Sequence, residues 1–187
     1  MSARLAGSGI LSRMNPDFFP LRPWSLVACV ILLAAAPEVF AATAAAPAAG
    51  TSWPVPVGQP LPDVVMSGLN GPPRSLSSYR GRPMIINVWA SWCGPCRAEA
   101  ASLERLAWSK AGGRYAIIGV SIDDYRAEAL RWLGHSNATI SHYIDARLTL
   151  EHLLGASTIP TTVLVDAQGR VVARFRGARD WDSAESV

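Results

Sequence analysis

The apolar positions of this chain change period as they are followed from Asp63 onward. Pro83 to Ala90 reads PMIINVWA, a nearly continuous apolar run. A run without polar alternation predicts a strand buried on both faces. YAIIGVSID (115–123) predicts a second one. Between them Cys96, Ala100, Leu103 and Ala107 recur at helical spacing, and Gly112-Gly113 is the expected stop. DYRAEALRWLGHSN (124–137) reads as an amphipathic helix with Leu130 and Leu133 on its apolar face. ISHYID (140–145) predicts a short strand and RLTLEHLLGA (147–156) a short helix. TTVLVDAQGRVVARFRG (161–177) predicts two strands around an Ala-Gln-Gly turn. Upstream, residues 63–81 read as a hairpin turning at Asn70-Gly71. Strands alternating with helices argue for an α/β domain with parallel pairs and an antiparallel edge. The ending, RDWDSAESV, reads as a helix start with Asp182 or Ser183 as N-cap, too short to be completed: a truncated helix or a frayed end.

The N-terminal pattern is different. Trp24 to Ala36 is a 13-residue uncharged, mostly apolar run, preceded by Arg4, Arg13 and Arg22 and followed by small residues. That order predicts a secretory signal cut after Ala41, with an uncleaved membrane anchor as the alternative. A spanning helix wants roughly 20 apolar residues. The basic flank is long, and a start at Met14 would shorten it to the usual length. LVAC (26–29) has the look of a lipoprotein box, but most of the apolar core follows Cys29, so the cysteine reads as part of the signal. Residues 42–56 are rich in Ala and Pro and read as a linker. The expected organisation is therefore signal or anchor over 1–41, linker over 42–56 and one folded domain over 57–187.

Composition adds exclusions. The 187 residues carry a net charge of +3 with no Lys/Arg block, which is no footprint for nucleic acid. Only three cysteines occur, Cys29, Cys93 and Cys96, too few for a disulfide-stapled scaffold. Zinc needs four ligands, and His135, His142 and His152 show no ligand spacing. The expectation is no metal, with the histidines at the surface or in packing.

The chemistry concentrates in WASWCGPCRAE (89–99), where Cys93 and Cys96 sit at a strand-to-helix turn. Unpaired N–H groups and the helix dipole stabilise a thiolate there. Pro95 suits the first helical turn, and Gly94 lets a substrate approach. Cys93, the expected exposed member, is assigned as nucleophile and Cys96 as resolving thiol. Trp92 is expected to form an apolar rim for docking partners and Trp89 to lie in the core.

The stretch from about Val57 to Gly177 resembles the TlpA/ResA branch of the thioredoxin superfamily, bacterial exported or membrane-tethered thiol–disulfide oxidoreductases. The resemblance rests on VGQPLPD, SLSSYRGRPMIINVWASWCGPCRAE, IIGVSID and STIPTTVLVDAQGRVV. It implies a thioredoxin fold with an added N-terminal hairpin and an insertion at about 124–150. Pro160 matches the cis-proline beside the cysteines, leaving the backbone of Ile159 to pair with a substrate strand. Glu99, one turn below Cys96, matches a buried acid that moves protons to and from the dithiol. Two positions depart from the pattern. Asn87 stands where cytoplasmic thioredoxins carry a buried aspartate, and Ala101 stands where relatives often carry a helix-kinking proline.

The function implied is a periplasmic oxidoreductase with a redox-active Cys93–Cys96 disulfide and no cofactor. It would reduce exported clients such as apocytochrome c or copper-site proteins, and an integral-membrane thiol reductase would recharge it. The alternatives are a disulfide-forming oxidase, a peroxiredoxin-like thiol peroxidase and a thioredoxin-fold copper chaperone. The peroxidase uses a lone cysteine in a Pro/Thr loop, and the chaperone spaces its cysteines wider and adds a histidine. Gly-Pro between the cysteines matches the reducing end of the family.

Overall fold

The computed structural model describes residues 52–186. Its strands are β1 (Val65–Gly68), β2 (Arg74–Ser75), β3 (Met84–Trp89), β4 (Ala116–Ser121), β5 (Ser141–Ile144), β6 (Thr161–Val165) and β7 (Val171–Arg176). The helices are α1 (Gly94–Trp108), α2 (Arg126–Ser136) and α3 (Thr149–Leu154), with single 3-10 turns at Leu76–Tyr79 and Gly112–Arg114. The seven strands form one sheet in the order β2-β1-β5-β4-β3-β6-β7. The central β3-β4 and β4-β5 pairs are parallel; β3-β6, β6-β7, β1-β5 and β1-β2 are antiparallel.

All six residues of β3 and of β4 are buried, as continuous apolar runs require. The period of two divides them between layers. Ile86, Val88, Ile118, Val120, Val163 and Val165 pack with Leu150, Leu153 and Leu154 of α3. Ile85 and Ile117 pack on the other face with Leu103 and Leu106 of α1 and with Trp181. Trp89 lies on that face as well, in a cluster with Cys93, Cys96 and Leu133. The 124–150 segment supplies α2 and β5, and β5 joins the hairpin to the parallel centre through its pairs with β1 and β4.

Four expectations are corrected. α1 stops at Trp108, before the glycines: the Ser109 hydroxyl donates to the Leu106 carbonyl (2.7 Å) and accepts from Gly112 N–H (3.0 Å). Gly112 is needed for close approach, because a Cβ there would lie 1.8 Å from the Leu106 oxygen. On α2 the buried positions are Ala129 and Leu133, whereas Leu130 is 40% exposed; i and i+4 share a face and 130 lies off it. Ordered packing begins before Val57, since Val55 is buried in the core and its N–H donates to Leu153 (3.0 Å). Residues 181–186 form turns, with no helix. Asp182 does not cap one because Arg105 holds its carboxylate at 2.6 and 3.0 Å, and Trp181 is buried against α1 and β3. The expected signal or anchor, Cys29 and most of the linker lie outside the described residues. Among the described residues no helix is long and apolar enough to cross a membrane.

Candidate active site

β3 ends at Trp89, a short loop follows, and α1 starts at Gly94 with Cys93 as its N-cap. Cys93 Sγ accepts from Cys96 N–H at 3.2 Å, and Pro95 occupies the first turn, where no N–H partner is lost. The two sulfurs are joined as a disulfide. On reduction, the same N–H group and the helix terminus remain to stabilise charge on Cys93. Cys93 and Cys96 are 5% and 3% exposed, so in this oxidised form the expected exposure of Cys93 is absent. What distinguishes them is position: Cys93 caps the helix and Cys96 lies inside its first turn. Around them Gly94 and Pro95 are exposed, and Trp92 stands 63% exposed as an apolar rim.

The loop ahead of Cys93 is held by a clamp that sequence reading missed. The Asp123 carboxylate, fully buried, accepts from Ser91 N–H (3.0 and 3.1 Å), the Ser91 hydroxyl (2.6 Å) and the Ser121 hydroxyl (2.7 Å). The Asp lies just after β4, whose end is in register with the end of β3, so sheet pairing brings it there. Across the sheet, the Ile159–Pro160 bond is cis, and Ile159 packs against the cluster that contains both cysteines.

Glu99 is buried under α1. One carboxylate oxygen accepts from Asn87 Nδ2 at 2.7 Å; the other accepts from Arg179 N–H and Trp181 Nε1, each at 3.1 Å. Burial pushes its pKa up from the ordinary carboxylate value, and the three donors pull it only part of the way back. Glu99 also lines a groove with Ala98, Ser102, Arg105 and residues 178–180. Asn87 also donates to Thr162 Oγ1 (2.9 Å). The amide therefore serves as a donor to Glu99 and does not titrate. Arg179 and Trp181 carried no signal in sequence, because they lie about 80 residues from Glu99 and beyond the last periodic strand. Ala101 is exposed on an uninterrupted helix.

A dithiol bonded across the first turn of a helix, beside a cis-proline on a sheet of this order, defines a thioredoxin-fold thiol–disulfide site. The chain belongs to the redoxin family, whose model it matches over residues 56–187. It is 35% identical over 130 residues to the thiol:disulfide interchange protein DsbE of Tatumella citrea, covering 66% of each chain. It is 30% identical over 119 residues to the thiol-disulfide oxidoreductase ResA of Geobacillus thermodenitrificans, covering 63% of this chain and 67% of that one. The chain thus spans about two thirds of the length of these relatives. Among solved structures it is similar to a DsbF homologue from Corynebacterium diphtheriae, with a TM-score of 0.58, 28% identity, and coverage of 74% of this chain and 92% of that one.

Proposed function

We propose that this protein is an exported thiol–disulfide oxidoreductase that reduces disulfides of client proteins on the outer side of the inner membrane. The observation that supports it most is the Cys93–Cys96 disulfide at the α1 N-terminus, with the buried Glu99 carboxyl one turn below. In the reduced protein, the Cys93 thiolate attacks one sulfur of a client disulfide. A mixed disulfide forms and the other client sulfur leaves as a thiolate. Cys96 then loses its proton and attacks Cys93 Sγ, releasing the second client thiolate and closing the disulfide seen here. Two electrons and, after protonation, two protons have passed to the client. Glu99, held up by burial, is suited to take the Cys96 proton and to return it. Ile159, ahead of Pro160, lies where an extended client strand would pair, and Trp92 offers the apolar contact.

The clients in this reading are exported proteins with cysteine pairs, such as apocytochrome c or copper-site proteins, and an integral-membrane thiol reductase restores the dithiol. The names of the DsbE and ResA relatives support thiol–disulfide exchange as the reaction class. Cys93→Ser abolishes reduction of insulin disulfides, and Cys96→Ser accumulates mixed disulfides on non-reducing gels. The reduction potential of the pair decides direction. A value near that of thioredoxin, about −270 mV, supports a reductant, and one near about −120 mV makes the protein a disulfide-forming oxidase instead.

A further inference from the structure

Glu99, Asn87 and Thr162 form a buried chain of hydrogen bonds whose direction depends on which group carries the protons. Asn87 and Thr162 are direct cross-strand partners on β3 and β6, and Glu99 reaches them from α1. With Glu99 as a carboxylate, both N–H bonds of Asn87 Nδ2 are used. One goes to Glu99 Oε1 at 2.7 Å and the other to Thr162 Oγ1 at 2.9 Å. The second carboxylate oxygen, Oε2, takes the backbone N–H of Arg179 and the indole N–H of Trp181. No side-chain nitrogen or oxygen of Glu99, Asn87 or Thr162 is left buried and unpaired in this arrangement.

A proton on Glu99 upsets the pattern. A backbone N–H and an indole N–H can only donate, so Oε2 must stay an acceptor. The proton therefore goes to Oε1, where its O–H meets the Asn87 NH2 group, donor against donor. All three residues are buried, so solvent relieves little of that conflict, and an unpaired buried donor is costly. Of the partners of Glu99, Asn87 alone can change sides, because its amide carries a donor and an acceptor of nearly the same shape. Turned over about its terminal bond, it presents Oδ1 to both neighbours. One lone pair of Oδ1 then accepts the Glu99 O–H and the other accepts the Thr162 O–H, since a threonine hydroxyl can either accept or donate. Each contact is kept in both states. An aspartate at 87 would face the Glu99 carboxylate with a like charge, and a leucine could neither give nor accept a bond.

We infer that Asn87 is a positioning residue whose amide turns over when Glu99 takes a proton, so that the Glu99–Asn87–Thr162 chain reverses its direction of donation. The inference rests on the reading above that Glu99 takes up and returns a proton. Burial raises the pKa of Glu99, which brings that uptake into the range where the protein is folded. The charged groups that share the groove with Glu99 are engaged elsewhere: Arg105 with Asp182 and Asp180, and the Arg179 guanidinium over the Phe175 ring. Arg97, Glu104 and His142 line the cavity on the side of Asn87.

The test is a pH titration of the oxidised full chain by nuclear magnetic resonance. The carboxyl carbon of Glu99 reports its proton, and the Overhauser contact between the Asn87 NH2 protons and Thr162 reports the amide. That contact is present above the Glu99 midpoint and lost below it, and the Asn87 side-chain resonances move with the same midpoint. Glu99→Gln locks the inverted form, because its oxygen must face the two groups that only donate and its NH2 group then faces Asn87. In that variant the contact is absent at every pH, while Arg97, Glu104 and His142 are retained, so their titration is subtracted. A Glu99 carboxyl that titrates while the Asn87–Thr162 contact persists overturns the inference. A contact that survives in Glu99→Gln, or a Glu99 that never titrates in the folded protein, overturns it too. The wild-type titration carries the test if the variant does not fold. Insulin reduction by the same preparation separates the failures: a persistent contact with reduction intact sinks the inversion alone, and absent reduction with the contact switching sinks the reducing function alone.

Discussion

The two flanks of α1 are built on opposite terms. On one, Glu99 and Ser102 face the C-terminal segment, and the polar groups are paired. The Glu99 carboxylate takes three donors, and the Ser102 hydroxyl donates to the Glu99 backbone carbonyl and accepts from Trp181 N–H at 3.0 Å. On the other, Cys96 and Ala100 line an open cavity, and Trp89 Nε1 and His142 Nδ1 are buried against Gly119 without hydrogen-bond partners. A buried charge needs every partner it can get, because the low-dielectric interior magnifies what is missing. The satisfied flank is therefore where a proton can be held reproducibly.

The largest expected effect breaks the first flank. Trp181→Ala removes a buried ring from between α1 and β3 and one donor to Glu99, and should cost about 3–5 kcal/mol in chemical denaturation. Next comes pH dependence on the second flank. His142 has a folded pKa of about 4 against an ordinary 6.5. The unfolded chain binds the proton first as pH falls, so stability is full above about 6.5 and is lost progressively towards 4, by about 3 kcal/mol. Glu99 and Asp145, both raised by burial, work in the opposite direction at the acid end. The clean readout is thus the difference between wild type and His142→Phe: between pH 7 and pH 4 the wild type should lose about 3 kcal/mol relative to the variant. Glu99→Gln keeps the shape but cannot take a proton. It should flatten the pH profile of thiol–disulfide exchange with little change in fold, and an unchanged profile would remove Glu99 from the mechanism. The smallest effect is Trp181→Phe, which keeps most of the ring and loses one N–H. It should cost about 1 kcal/mol and push the Glu99 pKa further up, visible as an alkaline displacement of the same profile.

Much of this was legible in the chain. β3 and β4 announced themselves as apolar runs because burial on both faces leaves no polar alternation to read. The cysteine pair, Pro95 and the helix face through Cys96, Ala100 and Leu103 are local, and local spacing is enough to place them. Leu130 was misread because an amphipathic pattern of small and large residues leaves two candidate faces, and Ala129 occupies the buried one. The end of α1 was misread because a serine cap, rather than the glycine pair, halts it.

What the sequence determined by itself is the central αβ pattern and a dithiol at a helix start, since both follow from period and short-range spacing. Tertiary structure alone decided which groups surround that dithiol. Sheet register sets Asn87 between Thr162 and Gly119 and brings His142 into the same row. The return of the chain past β7 delivers Trp181 and Arg179 to Glu99. Whether a carboxyl is a solvated surface group or a buried acid depends on such long-range neighbours, because desolvation and hydrogen bonding are properties of the packed environment and not of the residue.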